Sequence, residues 1–486
     1  MQQSLFETVT LHAIAADPAT EVFLIDASLR RIASGVGQIE ADVARGFYKV
    51  RFRAGSSQND ELVEVSGRED TMKVIGAPVL FRSAAPILNT MTFDAGHAGR
   101  AADWSCAPQG DGAGAELFLF LREEDPDRAF DPEGVSVHDL DGVKLADLTS
   151  GKVDRAARCA GLCLRLDPGT YRLRVSKEGL GEYEIFVTLS PDWKAQVFLA
   201  FETFTKGEVS LRAASLRRSA IFMTRPGMIF DPDEPNLRLT ELARQALLQG
   251  RNVVSDEMID RFLSGKFQDP MMGLIAAHIL LATHRRNRDL IGIVLRNLDR
   301  LIGETADLTA LRLAFGDDKR SGMKIDSPPL LAASWRMLTR TTRHNASLIE
   351  PMSVPGRIAH NIANGGAWLL HRVPEAAEEV EALSLARSDS LFRELLAVPP
   401  DALQDIVSDR RRNEELSGLE QSLLGILASH AKVSDMYRQV PRADDSAVKA
   451  SNQVWRLPAP AYSIASAVQS LDRKLGIGKA TDRGSS

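Results

Sequence analysis

Cysteine is scarce here: Cys106, Cys159 and Cys163 are the only three in 486 residues. An odd number in so long a chain excludes a disulfide-stapled framework, and no C-x-x-C pair is present to hold zinc or exchange thiols. All three are expected to be reduced structural or surface thiols. Positive charge is also in short supply. Lys and Arg number 59 against 65 Asp and Glu, a net charge of −6, so no overall field exists to release counterions from a phosphate backbone. Nucleic acid is therefore disfavoured as the main ligand. Long hydrophobic runs are missing as well. The longest, MMGLIAAHILLA at 271–282, falls short of the ~20 residues that span a bilayer and reads as a buried core helix. The start, MQQSLFETVT, has neither a basic n-region nor an apolar h-region. The expectation is a cytoplasmic protein without a membrane span.

Linear signatures of catalysis are equally lacking. There is no H-E-x-x-H, no G-x-S-x-G and no kinase set, and GIGK at 476–479 has neither the full spacing nor the preceding strand of a phosphate loop. His138 and Cys163 could be imagined as a thiol dyad, but they fall in different strands and no third group is nominated. No catalytic residue, cofactor or metal is expected. The alternative is a hydrolase or other enzyme whose site is assembled from scattered residues.

What the sequence does contain is one phrase written twice. GFYKVRF at 46–52 and GTYRLRV at 169–175 both alternate large and charged residues, the period of a strand with one core face. Tyr48, Val50 and Phe52 match Tyr171, Leu173 and Val175, and a Gly two residues before each Tyr supplies a turn. Flanking features repeat in the same order. Each copy has a strand running up to Asp-Pro (17–18, 125–126), then VFLID or VSVHD, and after the Gly-x-Tyr strand another alternating one, ELVEV or EYEIFVTL. These point to two β units, at 1–75 and 115–222, joined by a connector at 76–114 with one strand in it and a loop anchored by Trp104 and Cys106.

Prolines in TRPGMIFDPDEPN mark an exposed linker at 223–236, after which the period becomes that of a helix. Leu239, Leu242, Ala243, Ala246 and Leu247 form one face. Asp269-Pro270 and Ser327-Pro328 each read as an N-cap followed by proline at the first helical position, and Asp307 as the cap of a short helix. Further helices are expected at 252–264, 288–302, 328–342, 356–371, 375–397, 400–412 and 414–430, making an α-helical domain over 237–454. WRLPAPAY at 455–462 separates the last piece, 455–486, an amphipathic helix with a polar tail.

The second β unit resembles a PEGA-type module, a small β-sandwich appended to many bacterial proteins. The resemblance runs over about 130–200 and rests on Pro132, Glu133, Gly134 and Val135, on Asp141-Gly142, and on Pro168-Gly169-x-Tyr171-x-Leu173-x-Val175-x-Lys177-x-Gly179. Val135 stands where the family has Ala, Leu180 replaces an aromatic, and 150–163 looks inserted. The first unit, over about 5–70, shares the Gly-x-Tyr half. The resemblance implies a binding or spacing module with no active site. The stretches DPMMGLIAAHILL, VLRNLDRLIGETADLTALRLAFG and SPPLLAASWRML are similar to helical regions of bacterial proteins that carry caspase-like or other effector domains. That likeness implies a conflict or signalling context and brings no catalytic His and Cys.

The expected fold is therefore multidomain, β then α: two small β-sandwich modules followed by a mostly α-helical domain. The expected role is a non-enzymatic adaptor or regulatory subunit for protein partners, a caspase-like or other effector among them. Two elements are candidates for partner contact. One is the basic run HRRNRD, where Arg285, Arg286 and Arg288 meet at a helix junction, suited either to a helix C-terminus or to an acidic partner. The other is the stripe Ile464, Val468, Leu471 and Leu475, spaced to share one helical face that can dock on self or partner.

Overall fold

The computed structural model describes residues 8–66, 70–206, 209–251, 253, 261, 264–283, 288–316, 324–342, 348–350, 353–359, 361–363 and 365–374, together with 420, 423, 467 and 468. It divides into two compact units. One holds Met1–Phe315, Pro329–Ala333 and Asn364–Leu370, the other Gly316–Pro328, Ser334–Ala363 and His371–Ser486. Strands dominate the first of these early in the chain, and helices follow.

The opening strands are β1 (Val9–Ile14), β2 (Glu21–Asp26), β3 (Arg31–Val36), β4 (Gln38–Val43), β5 (Gly46–Ala54), β6 (Ser57–Val65) and β7 (Thr71–Ile75). They form two sheets, ordered β3-β2-β5-β6 and β4-β1-β7, and every pairing is antiparallel except that of β1 with β7. The alternation in β5 explains its placement. Tyr48, Val50, Phe52 and Ala54 are buried, while on the other face Arg51 forks onto Asp60 at 2.7 and 2.9 Å and Arg53 onto Glu21 at 2.9 and 2.8 Å.

The next strands are β8 (Ala115–Arg122), β9 (Val135–His138), β10 (Lys144–Asp147), β11 (Lys152–Asp154), β12 (Cys159–Leu166), β13 (Gly169–Lys177), β14 (Gly181–Leu189) and β15 (Trp193–Lys206). Their orders, β10-β9-β13-β14 and β12-β8-β15, reproduce the first set strand for strand, with β8 and β15 as the parallel pair. The extra strand is β11, added beside β12 from the stretch that looked inserted.

The likeness extends to single hydrogen bonds. In the β2–β3 turn the Asp26 amide donates to Arg30 O, Leu29 N–H donates to Asp26 O, and Arg30 N–H donates to Asp26 Oδ1. Asp139, Gly142 and Val143 repeat all three between β9 and β10. The third turn residue has a positive φ in both, 61° at Leu29 and 92° at Gly142. Only glycine adopts that region freely. Leu29 is 76% exposed, so Leu29→Gly is expected to raise stability by about 0.5–1 kcal/mol, the relief of left-handed strain less the added freedom of the unfolded chain. A lower thermal midpoint would refute this.

Both tyrosines also close the same loop. Tyr48 Oη donates to Ala44 O and Tyr171 Oη to Asp167 O, each at 2.8 Å and four residues back. Each ring lies against its glycine, 3.9 and 3.8 Å from where a Cβ of Gly46 or Gly169 would sit. Burial differs from expectation, since Tyr48 is in the core but Tyr171 is only half-buried.

The connector contains a helix instead of a strand: α1 (Ala95–Ser105), capped by Asp94, whose carboxylate accepts from His97 N–H at 2.8 Å. Trp104 belongs to this helix and packs on Phe120 with ring centroids 6.1 Å apart. Phe118, Phe120, Phe198, Phe222 and Phe230 gather with Ala101 and both buried cysteines in one cluster, which is why β8 reads AELFLFLR: it is buried on both faces.

The prolines at 223–236 lie in a largely exposed segment, but they do not mark a boundary between compact units. Two strands, β16 (Val209–Ala214) and β17 (Ala220–Thr224), pair with β15. Beyond them Phe230 is buried and its N–H donates to Ser105 Oγ at 2.9 Å, while Pro232 O accepts from Leu88 N–H at 3.0 Å. These bonds lock the segment onto the β part.

Four helices complete the first compact unit: α2 (Pro235–Leu248), α3 (Pro270–Thr283), α4 (Arg288–Ile302) and α5 (Ala306–Phe315). The expected face of α2 is buried apart from the half-exposed Leu247, and α3 is buried nearly all round. The cap of α5 is Thr305, whose Oγ1 accepts from Leu308 N–H at 3.2 Å. Asp307 instead accepts from Leu330 and Leu331 N–H at 2.8 and 3.0 Å. Helix α6 (Ala332–Thr341) begins after the Ser-Pro-Pro stretch, not at Pro328. The helix expected at 356–371 is replaced by a one-turn α7 (Val354–Ile358) and extended chain, because Gly365 takes φ 107° and Trp368 bridges to Leu331. The helices expected at 375–397, 400–412 and 414–430, and most of 252–264, lie outside the described residues.

Candidate functional site

Arg288 opens α4, and the helix C-terminus that it complements is that of α5. Its guanidinium donates to Phe315 O at 2.9 Å and lies 4.8 Å from the centre of the Phe315 ring, tying α4 to α5. Arg285 and Arg286 lie outside the described residues, as do Ile464, Leu471 and Leu475. Val468 is helical and fully buried.

No thiol dyad forms. The His138 ring nitrogens engage Ser136 Oγ at 2.9 Å and Gly142 O at 3.1 Å, while Cys163 Sγ donates to Ser105 O at 3.5 Å. Burial pushes the Cys159 and Cys163 thiols up to about 12, which makes them poor nucleophiles. His97 Nε2 meets Ala157 O at 2.7 Å, and burial holds its pKa below the usual imidazole range. Lys194, lowered by burial, donates to Ser105 O at 2.9 Å and to Met228 O, with Glu116 at 3.7 Å. These groups stitch α1, β15 and the 227–230 turn together. Among the described residues no His, Cys, Asp or Glu cluster could hold a metal ion, and no helix is long and apolar enough to cross a membrane.

A cleft of about 310 Å³ opens between Asp17–Pro18, Ile87–Asn89 and the start of α2. Its central cation, Arg238, is engaged by Asp17 at 2.5 Å, by Asn89 O and by Val79 O at 3.1 Å. The cleft is a seam between α2 and the first β unit.

The outward face of β5 and β6 is different. Phe47 is 65% and Leu62 83% exposed there. The matching tyrosines fix the equivalent positions in the second β unit: Lys49 opposes Leu62 as Arg172 opposes Phe186, and Arg51 opposes Asp60 as Arg174 opposes Glu184. Phe186 and Glu184 are fully buried. The edges differ in the same way. β15 is flanked by β17. Among the described residues β6 and β7 are edges, and Ile75 on β7 is 67% exposed. Sequence reasoning passed over this surface, though it left a signal: Phe47 is in phase with Lys49, Arg51 and Arg53, and Leu62 with Asp60 and Glu64, so both fall on the charged side of their strands.

No family model and no curated protein matches the chain. Among solved structures it is similar to the TIE protein of Bacillus anthracis, at 12% identity and a TM-score of 0.16 over 38% of this chain. It is also similar to a candidate cell adhesion protein of Bacteroides fragilis, at 8% identity and a TM-score of 0.15 over 43% of this chain and 97% of that one. The chain spans about a third of the length of the first, 32%. At these scores neither likeness bears on fold or function.

Proposed function

We propose that this chain is a non-enzymatic adaptor or regulatory subunit that binds protein partners, and that the outward face of β5–β6 is a contact surface. One observation carries the reading: Phe47 and Leu62 are exposed on a face whose counterpart in the second β unit is covered. Large apolar side chains grouped on one sheet face suit a partner surface. On this reading each pair of sheets closes as a PEGA-like β-sandwich, the second serving as scaffold and the first as reader. The stripe with Ile464, Val468, Leu471 and Leu475 is a second contact, held docked in the state where Val468 is buried, and Arg285 and Arg286 remain candidates for an acidic partner. The resemblance of the helical stretches to effector-associated bacterial proteins supports a caspase-like or other effector as the kind of partner, in a cytoplasmic conflict or signalling system.

The test begins with proteins that co-purify from the native host. The purified partner is then titrated against the wild type and the double variant Phe47→Asp/Leu62→Asp. Loss of an apolar anchor at a contact centre weakens binding by roughly 2 kcal/mol or more, so affinity should fall more than about tenfold. Because both residues are exposed, the melt should not move. Unchanged affinity would overturn the assignment of this face.

A further inference from the structure

We propose that the free edge of β6 receives an extended peptide strand from the partner, with an aliphatic side chain beside Leu62 and cationic side chains on either side of it. This inference rests on the reading of the β5–β6 face given above and specifies how the partner is held. β6 is nine residues long, Ser57–Val65, and among the described residues it pairs only with β5. In the second β unit the equivalent strand, β14, has its outward face covered, with Glu184 and Phe186 fully buried.

The side chains of β6 fix the chemistry of the guest. Gln58, Asp60, Leu62 and Glu64 project to the outward face, exposed or nearly so; the Asp60 carboxylate already accepts from Arg51 and Lys49 of β5, so Glu64 carries the larger share of the attraction for a guest cation. An added strand would set its own side chains beside them at ~5 Å, where opposite charges and apolar pairs stabilise and like charges repel. The complementary pattern is cation, any residue, aliphatic, any residue, cation. The same rule disfavours a second copy of this chain, because β6 laid antiparallel on itself about Leu62 places Asp60 opposite Glu64. Acidic residues on an open edge guard it against its own kind, and a cationic strand turns that guard into an attraction.

The probe is a fluorescent peptide, Thr-Lys-Thr-Val-Thr-Lys-Thr, titrated by anisotropy against the full-length chain. Saturable binding is expected, weakened roughly tenfold by Leu62→Lys and by Glu64→Lys with unchanged thermal melts. Two further peptides carry N-methyl groups on alternate amides, one in each phase. Strand addition uses the amides of one phase only, so one methylated peptide should lose binding and the other keep it. Absent saturation, equal behaviour of the two methylated peptides, or indifference to both substitutions would each overturn the proposal. So would a concentration-dependent dimer abolished by Glu64→Lys, which would place a second copy on the edge. If the purified partner is sensitive to Phe47→Asp/Leu62→Asp while both methylated peptides behave alike, the contact face stands and strand addition falls; if the partner ignores that double variant, the face itself falls.

Discussion

Arg122→Met is expected to remove about 3–5 kcal/mol of stability, the usual consequence of breaking one side of a buried charged network. Arg122 ends β8 and is 1% exposed. Its guanidinium donates to Ala84 O at 2.7 Å, to Ser83 O at 2.8 Å, to Ala85 O at 3.3 Å and to Thr92 O. Those carbonyls belong to the strandless chain between β7 and α1, so a single side chain supplies donors to backbone that no sheet satisfies. Burial lowers its pKa to about 10, with Glu124 and Asp94 opposing that fall, and the group stays charged at neutral pH. Met fills similar space but leaves the carbonyls and Glu124 without the fork, and Lys, a point charge on a flexible stem, cannot serve them together. Urea unfolding followed by tryptophan fluorescence reports directly, because Trp104 lies on α1. A loss below about 1 kcal/mol for Arg122→Met would mean that the segment is held by other contacts.

The second large effect is a dependence on pH centred on Asp269. This carboxyl precedes α3 and is fully buried. Its Oδ1 accepts from Met223 N–H at 2.9 Å and Met271 N–H at 3.1 Å, and Oδ2 lies 3.3 Å from Thr240 Oγ1, so it joins β17, α2 and α3. Burial raises its pKa to about 7, with these hydrogen bonds opposing the rise. The unfolded chain titrates it near the ordinary value of 3.8. Between those two values the folded protein binds the extra proton, so the stabilisation is complete below pH ~4 and is lost as pH climbs through 7. Its ceiling is ~4 kcal/mol. Asn keeps the acceptor for both amides and cannot ionise. Asp269→Asn should therefore gain about 2–3 kcal/mol on the wild type between pH 5 and pH 8. Urea midpoints at both pH values check this, and a constant difference between the proteins would contradict it.

The repeated β pattern was legible because its determinants are local. Alternation sets the core face of β5 and β13, Gly-x-Tyr sets the loop closed by the tyrosine hydroxyl, and Asp26 and Asp139 organise turns through their own neighbouring amides. Helix α4 was legible from its apolar period, and α3 from its apolar run behind Asp269-Pro270. What escaped depended on distant partners. Helix α1 is built from AGHAGRAADWS, rich in small residues and weak in period; it forms because Asp94 caps it and its inner face meets the phenylalanines of β8. The prolines of 223–236 suggested a boundary, but Phe230 is drawn into that same cluster and ties the exposed segment to it. Arg122 sits in a charged run after FLFL, and nothing nearby says that its side chain turns inward to four carbonyls. The contact face was missed because alternation identifies the buried side of a strand more readily than it explains an apolar residue on the other.

The parallel pairing of first with last strand, β1 with β7 and β8 with β15, orders events on the ribosome. Neither β unit can close until its final strand has emerged, which makes each a slow, all-or-none step dominated by distant contacts. The first has all seven strands once Ile75 is out; the second waits for β15, and its cover for Phe230. A finished sheet with an open β6 edge is then held beside a nascent stretch of the same pattern, the setting in which repeats misassemble.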